Sequence, residues 1–572
     1  MSDFLFSQKP VKKSKLAKLL KDVYPEEVKV KEFHGSWGSL ALVRNQYHGF
    51  KPLETDKYLM FVIGGPVLTF RDNQFLVETN STKATKSIFE RWIKQQEIDF
   101  SSDLSGPFVL GLIDKSSGEL TTVTDLMSFI PVFHFKDKQN RILGTHVDTV
   151  AQAANDQQNF DLVSIAEFVH SRRITFPFTI YKQISQLLPS TVTSVFNNKV
   201  EAKSYWLPAE KNSFDSIDQA ASELRSRHLE YLDNLPLSGQ EVSLLTSGGQ
   251  DSRVVLASLP KDCRKRGVIF LDQMNREGRI AQKAAKIYHA DFEVYLRSKT
   301  YYLDIFSKAI NLVGSSSVFS AHSLGVYQNA DLDESPFVLG GYLADTYLKY
   351  YFFQVQNHKK FIIEITNADW LTQEVEEEIN HRRQSYFQQL RRIRPTTTKE
   401  WFYFYPTSML TTNAHFDCNR RLFRIYEVFF AAEIIKLAAA VPQRWKLKKR
   451  MFTKAYKPLL KKSWYLPHTY GWFPYFSSHI NSFANLPIQF YLKFLRVTGI
   501  EKNQGPWFDW SYVKNHEKVY QLAEKFQSGF DPLKQIFTKK YKSLLTADLT
   551  DRERFNLLQI CHLVQKQQRT KA

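Results

Sequence analysis

Residues 246–253 read Thr246-Ser247-Gly248-Gly249-Gln250-Asp251-Ser252-Arg253, set between apolar runs at 242–245 and 254–259. These residue types at this spacing suit anion chemistry. A turn that feeds a helix aims several backbone N–H groups at one point and adds the positive end of the helix dipole. Gly248 and Gly249 let the backbone come close to an anion, and the Ser247 and Ser252 hydroxyls can donate to the same oxygens. Asp251 sets the loop apart from an ordinary phosphate cradle, because a carboxylate beside phosphate needs a divalent cation between them. The loop therefore predicts an ATP-type nucleotide carrying Mg²⁺ and held by its pyrophosphate. No Gly-Lys-Ser/Thr follows, so this is not a Walker loop. A tight turn with a plain helix N-cap is the competing reading. Four further fixed positions in strand–loop–helix context outweigh it.

The elements around the loop must hold it in place. Residues 242–245 read as a short buried strand and 254–259 as the first turns of a helix. A charged helix over 216–235 precedes them, and 266–271, 276–288 and 292–296 follow as strand, helix and strand. That alternation predicts a parallel doubly wound sheet with the loop at the C-terminal end of its strand. From about residue 31 to 206, short strands at 39–43, 58–63 and 108–113 are broken by turns, with helices at 83–96 and 162–170. This predicts an α+β domain of layered sheets. Beyond about residue 367 the chain turns mainly helical, and Pro442 stops an apolar helix over 428–441. The expected partition is a basic arm over 1–30, an α+β domain over 31–207 and an α/β domain over 208–572.

Bulk composition narrows the class. At 572 residues, 43% hydrophobic and 14% aromatic, the chain has enough apolar material for more than one packed core. No uninterrupted apolar run approaches the ~18 residues that cross a bilayer, which predicts no membrane insertion. Lys9, Lys12, Lys13, Lys15, Lys18 and Lys21 make the first segment unlike a signal peptide and suggest an exposed basic helix or arm. Cys263, Cys418 and Cys561 are far apart and odd in number, which supports neither a disulfide framework nor a zinc site and points to the reducing cytoplasm. The net charge of +19 permits attraction to nucleic acid, anionic lipid or an acidic partner. Part of it lies in Arg444, Lys446, Lys448, Lys449, Arg450, Lys454, Lys457, Lys461 and Lys462, a stretch without an acid.

The loop matches the pyrophosphate loop of AMP-forming ATP pyrophosphatases, and with further motifs the chain resembles the asparagine synthetase-like superfamily. Gly106-Pro107-Phe108, Asp114, Asp125 and Pro131-Val132-Phe133 are similar to the family's N-terminal pattern, and Tyr205-Trp206 falls where its first domain closes. Phe337-Val338-Leu339-Gly340-Gly341-Tyr342-Leu343-Ala344-Asp345 looks like the family's strand followed by Gly-x-Gly-Ala/Ser-Asp, with Leu343 in place of the second glycine and Thr346 in place of the usual Glu. The resemblance implies layered sheets like those of N-terminal-nucleophile hydrolases and a degenerate class II glutamine amidotransferase-like domain. It also implies a second Mg²⁺ carboxylate at Asp345, opposite Asp251, and a proton-handling phenol at Tyr342. Asparagine synthetases have Glu at that last position, and β-lactam-forming relatives have Tyr. Glu374, Glu376, Glu377 and Glu378 stand open as its carboxylate partner.

The departures are specific. No cysteine precedes Cys263, so the glutamine-hydrolysing nucleophile is missing; Ser2 is separated from any expected strand by the basic arm. Ala431 replaces the aspartate of the family's Pro-Phe-Leu-Asp. The lysine that serves the intermediate in relatives is not recognisable around Leu466-Pro467-His468, although Lys449, Lys461 and Lys462 lie nearby. The resulting expectation is an ATP-dependent, AMP-forming amide ligase joining a small-molecule or peptide carboxylate to an amine without glutamine hydrolysis. An adenylating tRNA-modifying enzyme and a non-catalytic ATP-binding scaffold are the alternatives. The acid, the amine and the oligomeric state are not legible in the residues.

Overall fold

Strongly apolar runs fix the N-terminal half. Phe108–Asp114 pairs antiparallel with Tyr58–Gly64 on one side and Glu119–Thr124 on the other, within a six-stranded sheet completed by Thr191–Phe196, Lys199–Ser204 and Leu53–Glu54. A second six-stranded antiparallel sheet runs Ile184–Gln186, Phe133–Lys136, Arg141–Gly144, Phe4–Ser7, Gly38–Val43, Val30–Gly35. Phe4 of this sheet meets Phe61 of the first with ring centroids 5.1 Å apart, so the two sheets share one core. The expected strands and the helices Lys83–Phe89 and Leu162–Ser171 are present. A computed structural model describes the chain apart from residues 1, 45, 80, 138–139, 197–198, 350–362, 366–367, 485, 499–504, 506–509, 539–548 and 570–572. The expected boundary near 367 falls outside the described residues.

The expected basic arm over 1–30 is corrected. Phe4–Ser7 is an interior strand, paired with both Arg141–Gly144 and Gly38–Val43, and Phe4, Leu5 and Phe6 are fully buried. The helix Lys15–Lys21 buries Leu16, Ala17 and Leu20 and keeps its lysines outward. The apolar run is only a few residues long, and the surrounding lysines mask it in any averaged reading. Ser2 therefore stands beside a strand and not across an arm from one, and Asp3 is sealed at the domain joint. Arg421 donates to Asp3 Oδ2 at 2.8 Å, and Arg420 lies 3.4 Å from Oδ1. Burial alone would raise the Asp3 pKa, but Arg421 and then Arg420 outweigh it and hold the carboxyl well below the usual range.

The second half builds a five-stranded, all-parallel sheet in the order Asp291–Leu296, Arg264–Leu271, Glu241–Leu245, Phe337–Gly340, Tyr426–Glu427. The strand order reverses direction between Glu241–Leu245 and Phe337–Gly340. In open parallel sheets, that switch point opens a crevice beyond the strands' carboxyl ends, where ligands bind. The terminal strand Tyr426–Glu427 ends where the helix expected over 428–441 was to begin, and that helix starts later. A 3₁₀ turn at Val428–Phe430 and an extended Ala431 precede the helix Ala432–Ala440. Helices dominate thereafter, as expected, including Arg450–Tyr456, Leu486–Thr498 and Asp551–Arg569. The halves are joined by the Tyr47 hydroxyl, which donates to Ile425 O at 2.7 Å, and by Phe129 stacked on Phe430 at 4.0 Å.

Candidate active site

The loop and the helix Gln250–Ser258 follow the strand Glu241–Leu245 directly, so Asp251 sits in the helix's first turn. The short turn Ala344–Tyr347, which carries Asp345, follows the neighbouring strand Phe337–Gly340. Both aspartates line one cavity of about 590 Å³, together with Ser247, Gly249, Ser252, Tyr342 and Lys449. Their approach depends on Gly341. A Cβ there would stand 3.0 Å from the Asp251 carbonyl carbon and 3.1 Å from Ser252 N, both backbone atoms that cannot swing aside.

Lys349, which sequence reasoning missed, joins the two carboxylates. Its ammonium donates to Asp251 and lies 2.9 Å from Asp345 Oδ1, and its side chain is buried. Burial opposes its charge, but Asp251 and Asp345 outweigh burial and raise its pKa. Burial, partly offset by Lys349, pushes Asp251 up, with Asp345 adding repulsion. For half-exposed Asp345, desolvation is outweighed by Lys349 and then Lys449, which draw its pKa down. The three groups are one charge cluster, with a cation fixed between carboxylates from neighbouring strand ends.

Within the loop, Ser247 N–H donates to Ser252 Oγ at 3.0 Å and Gly249 N–H to Ser247 Oγ at 3.1 Å. Gly248 N–H donates to Glu277 Oε1 at 2.7 Å, and the Thr469 hydroxyl donates to the other oxygen. A carboxylate thus occupies one of the loop's backbone donors. Arg253, buried under the loop, donates to Leu466 O at 2.6 Å and Pro467 O at 2.9 Å and fastens the 466–472 segment over the cavity. His468 and Tyr470 line the cavity from this segment.

Of the three lysines noted nearby, Lys449 reaches the cavity, whereas Lys461 lines a separate surface groove and Lys462 is exposed. Lys448 at φ 53 and Lys449 at φ 58 are consecutive left-handed residues without glycine. Each such conformation costs on the order of 1–3 kcal/mol and persists only when its surroundings impose it. Burial, followed by repulsion from Lys349, lowers the Lys449 pKa, and the two aspartates oppose that shift. Leu343 is also left-handed, at φ 65, which accounts for glycine at that position in the resembled motif.

Tyr342 lies in the same cavity, with its hydroxyl donating to Thr412 O and its N–H donating to Glu427 Oε2 at 2.9 Å. Burial raises the phenol far above its ordinary value. The acids on the helix Gln373–Ile393 do not line the cavity: Glu374 and Glu377 are exposed, and Glu378 pairs with Arg382. The carboxylate beside Tyr342 is Glu427, at the tip of the fifth strand, and burial pushes it up to about 7. No local signal marks Glu427, which stands 85 residues from its partner.

Residues 35–206 match a family model described as a glutamine amidotransferase domain. The chain is 22% identical over 201 residues to "Asparagine synthetase [glutamine-hydrolyzing] 3" of Bacillus subtilis (strain 168), which covers 35% of this chain and 32% of that protein. It therefore spans about a third of the length of the curated relative it matches. Among solved structures, similarity extends to glutamine phosphoribosylpyrophosphate amidotransferase from B. subtilis complexed with ADP and GMP, at 9% identity and TM-score 0.25 over 59% of this chain and 74% of that one. A structure of the allosteric regulatory enzyme of purine biosynthesis is similar at 9% identity and TM-score 0.25 over 51% and 80%.

Proposed function

We propose that this member of the asparagine synthetase-like superfamily is an ATP-dependent ligase that adenylates a carboxylate and passes the acyl group to an amine, without hydrolysing glutamine. The observation that carries the reading is the convergence of Asp251 and Asp345, from adjacent strand ends at the switch point, on one cation position beside the 247–252 loop. Two carboxylates facing one cation are a donor set suited to Mg²⁺ bound to a triphosphate, once the Lys349 ammonium yields the place. When bound, the metal neutralises phosphate charge and favours departure of pyrophosphate.

The chain's own residues position and neutralise. A substrate carboxylate oxygen attacks the α-phosphorus of ATP, and the bond from that phosphorus to the bridging oxygen breaks. The leaving pyrophosphate is held by the Ser247 and Ser252 hydroxyls and the loop N–H groups, which turn from Glu277 and from one another to the anion. Lys449 faces the charge that develops on the acyl-adenylate. The amine nitrogen then attacks the acyl carbon, loses a proton and expels AMP. Tyr342 stays protonated near neutral pH with its O–H given to Thr412 O, so its oxygen accepts from and orients the amine, while Glu427 at about 7 accepts the amine's proton. The absence of glutamine hydrolysis rests on the sequence, in which no cysteine precedes Cys263, while Ser2 and Asp3 lead into the Phe4–Ser7 strand and Asp3 is taken by Arg420 and Arg421.

ATP–pyrophosphate exchange across a panel of carboxylic acids tests the reading. The wild type exchanges label with its acid and Asp251→Ala does not; full exchange by that variant sinks the site assignment. A second reading, an ATP-binding scaffold without turnover, is favoured by Lys349 in the cation position and Glu277 on the Gly248 N–H. Calorimetric ATP binding that leaves the nucleotide intact with every acid would select it.

A further inference from the structure

The helix Leu486–Thr498 turns its apolar side to solvent. Leu486, Phe490, Phe494 and Val497 recur at i, i+4, i+8 and i+11 and so share one face. They are 55%, 72%, 58% and 78% exposed, and Phe483 of the preceding helix Ser478–Ala484 is 80% exposed. Buried Leu495 anchors the opposite side, while exposed Gln489 and Lys493 flank the apolar stripe. This inverts the ordinary surface helix, which buries such a stripe. Single exposed apolar residues need no explanation; a contiguous stripe marks a contact surface.

The ground beside it is basic. A groove of about 1060 Å³ is lined by Arg444, Lys448, Arg450, Lys454, Lys457 and Lys461, and it reaches Ser477 and Ser478, where the first exposed helix begins. Asp218 is the one acid among the groove's described lining residues, and Lys454 pairs with it. Trp464, Tyr465 and Trp472 are exposed on the segment between groove and helix.

An apolar stripe alone fits any hydrophobic partner, and a basic groove alone fits any polyanion. Linked through the short helix Ser478–Ala484, which starts at the groove and carries exposed Phe483, and accompanied by exposed Trp464, Tyr465 and Trp472, they fit a layer that is anionic outside and apolar beneath. We infer that this face docks the protein on a membrane surface carrying anionic lipid, with the helix Leu486–Thr498 lying in the headgroup plane. Among the described residues no helix is long and apolar enough to cross a membrane. A nucleic acid would engage the lysines but leave Leu486 and Val497 without a role. A second copy of the chain would bring its own lysines against these. The docked helix is tied to the cavity, since Gln489 donates to the backbone oxygen of cavity-lining Tyr470 at 2.6 Å. The inference does not depend on the ligase reading.

Co-sedimentation of the full chain with vesicles tests it, comparing phosphatidylcholine alone with phosphatidylcholine plus phosphatidylglycerol. Binding is expected to the mixed vesicles only and to weaken as salt is raised. The double variant Phe490→Glu/Phe494→Glu and, separately, Lys448→Gln/Lys461→Gln are each expected to lower the partition coefficient about tenfold or more. All four side chains are exposed, so the melting curve of each variant should match the wild type. Equal binding to neutral vesicles, no binding to either kind, or retention by the Phe490→Glu/Phe494→Glu variant would overturn the inference. So would a dimer in light scattering that this variant dissolves. Pyrophosphate exchange on the same preparations separates failure of this surface from failure of the ligase reading.

Discussion

Replacing Lys349 by methionine probes the centre of the site. The substitution keeps a long side chain over the Phe452 ring, where the ammonium now sits 4.3 Å from the centroid, and removes only the charge. Losing one partner of a buried pair costs about 3–5 kcal/mol. Here the Asp345 side chain is 49% exposed, so water screens its share, whereas Asp251 is 18% exposed. Screening brings the cost just below that range, to about 2–3 kcal/mol. At about 2 °C per kcal/mol for a large domain, the midpoint should fall by roughly 4–6 °C. The variant also leaves two carboxylates facing each other without the ammonium between them, with only Lys449 nearby. Mg²⁺ at about 100 times its dissociation constant then restores roughly 2.7 kcal/mol. Without nucleotide, the wild type should gain little, because Lys349 already fills the position. Thermal melts of both proteins in chelator and in Mg²⁺, at matched ionic strength, measure this directly. A variant that melts like the wild type, or one that magnesium does not rescue, would refute the idea that Asp251 and Asp345 share one cation position.

The remaining predictions concern proton handling and the domain joint. Glu427→Gln should retain pyrophosphate exchange while losing amide formation by at least about 100-fold, the usual scale for a lost general base; equal loss of both steps in the exchange and product assays would remove Glu427 from the second step. The same residue has a stability signature: its folded pKa of about 7 lies above the ordinary 4.5, so its contribution is full below 4.5 and is lost as pH rises through 7. Glu427→Gln should therefore flatten that limb of the melting profile and gain on the wild type at pH 8. Asp3→Asn leaves Arg420 and Arg421 without that carboxylate and should cost about 3–5 kcal/mol in denaturant unfolding. Because the Asp3 pKa is depressed, its contribution is present above the ordinary 3.8 and is lost as pH falls below it, so the gap between wild type and variant should close in acid.

What could be read directly was local. The strand, the glycine pair, both serines and Asp251 lie within one strand–turn–helix unit, where spacing alone sets which groups share a point. Asp345 was legible because it also follows a strand within a short motif, and the left-handed Leu343 explains why that motif usually has glycine. The strand Phe4–Ser7 was not legible. Its apolar run is too short to outweigh the lysines around it, and only pairing with Arg141–Gly144 and Gly38–Val43 makes it a strand.

The sequence by itself determined the loop's strand–turn–helix geometry and the alternation that builds a parallel sheet, because both arise from neighbours along the chain. Tertiary structure decided which charges complete the site. Lys349 meets Asp251 across 98 positions, Glu427 meets Tyr342 across 85, and Glu277 reaches Gly248 across 29. The physical reason is the strand order: placing Phe337–Gly340 between Glu241–Leu245 and Tyr426–Glu427 brings three strand ends to one rim. A side chain's partners are then set by sheet register and not by sequence distance.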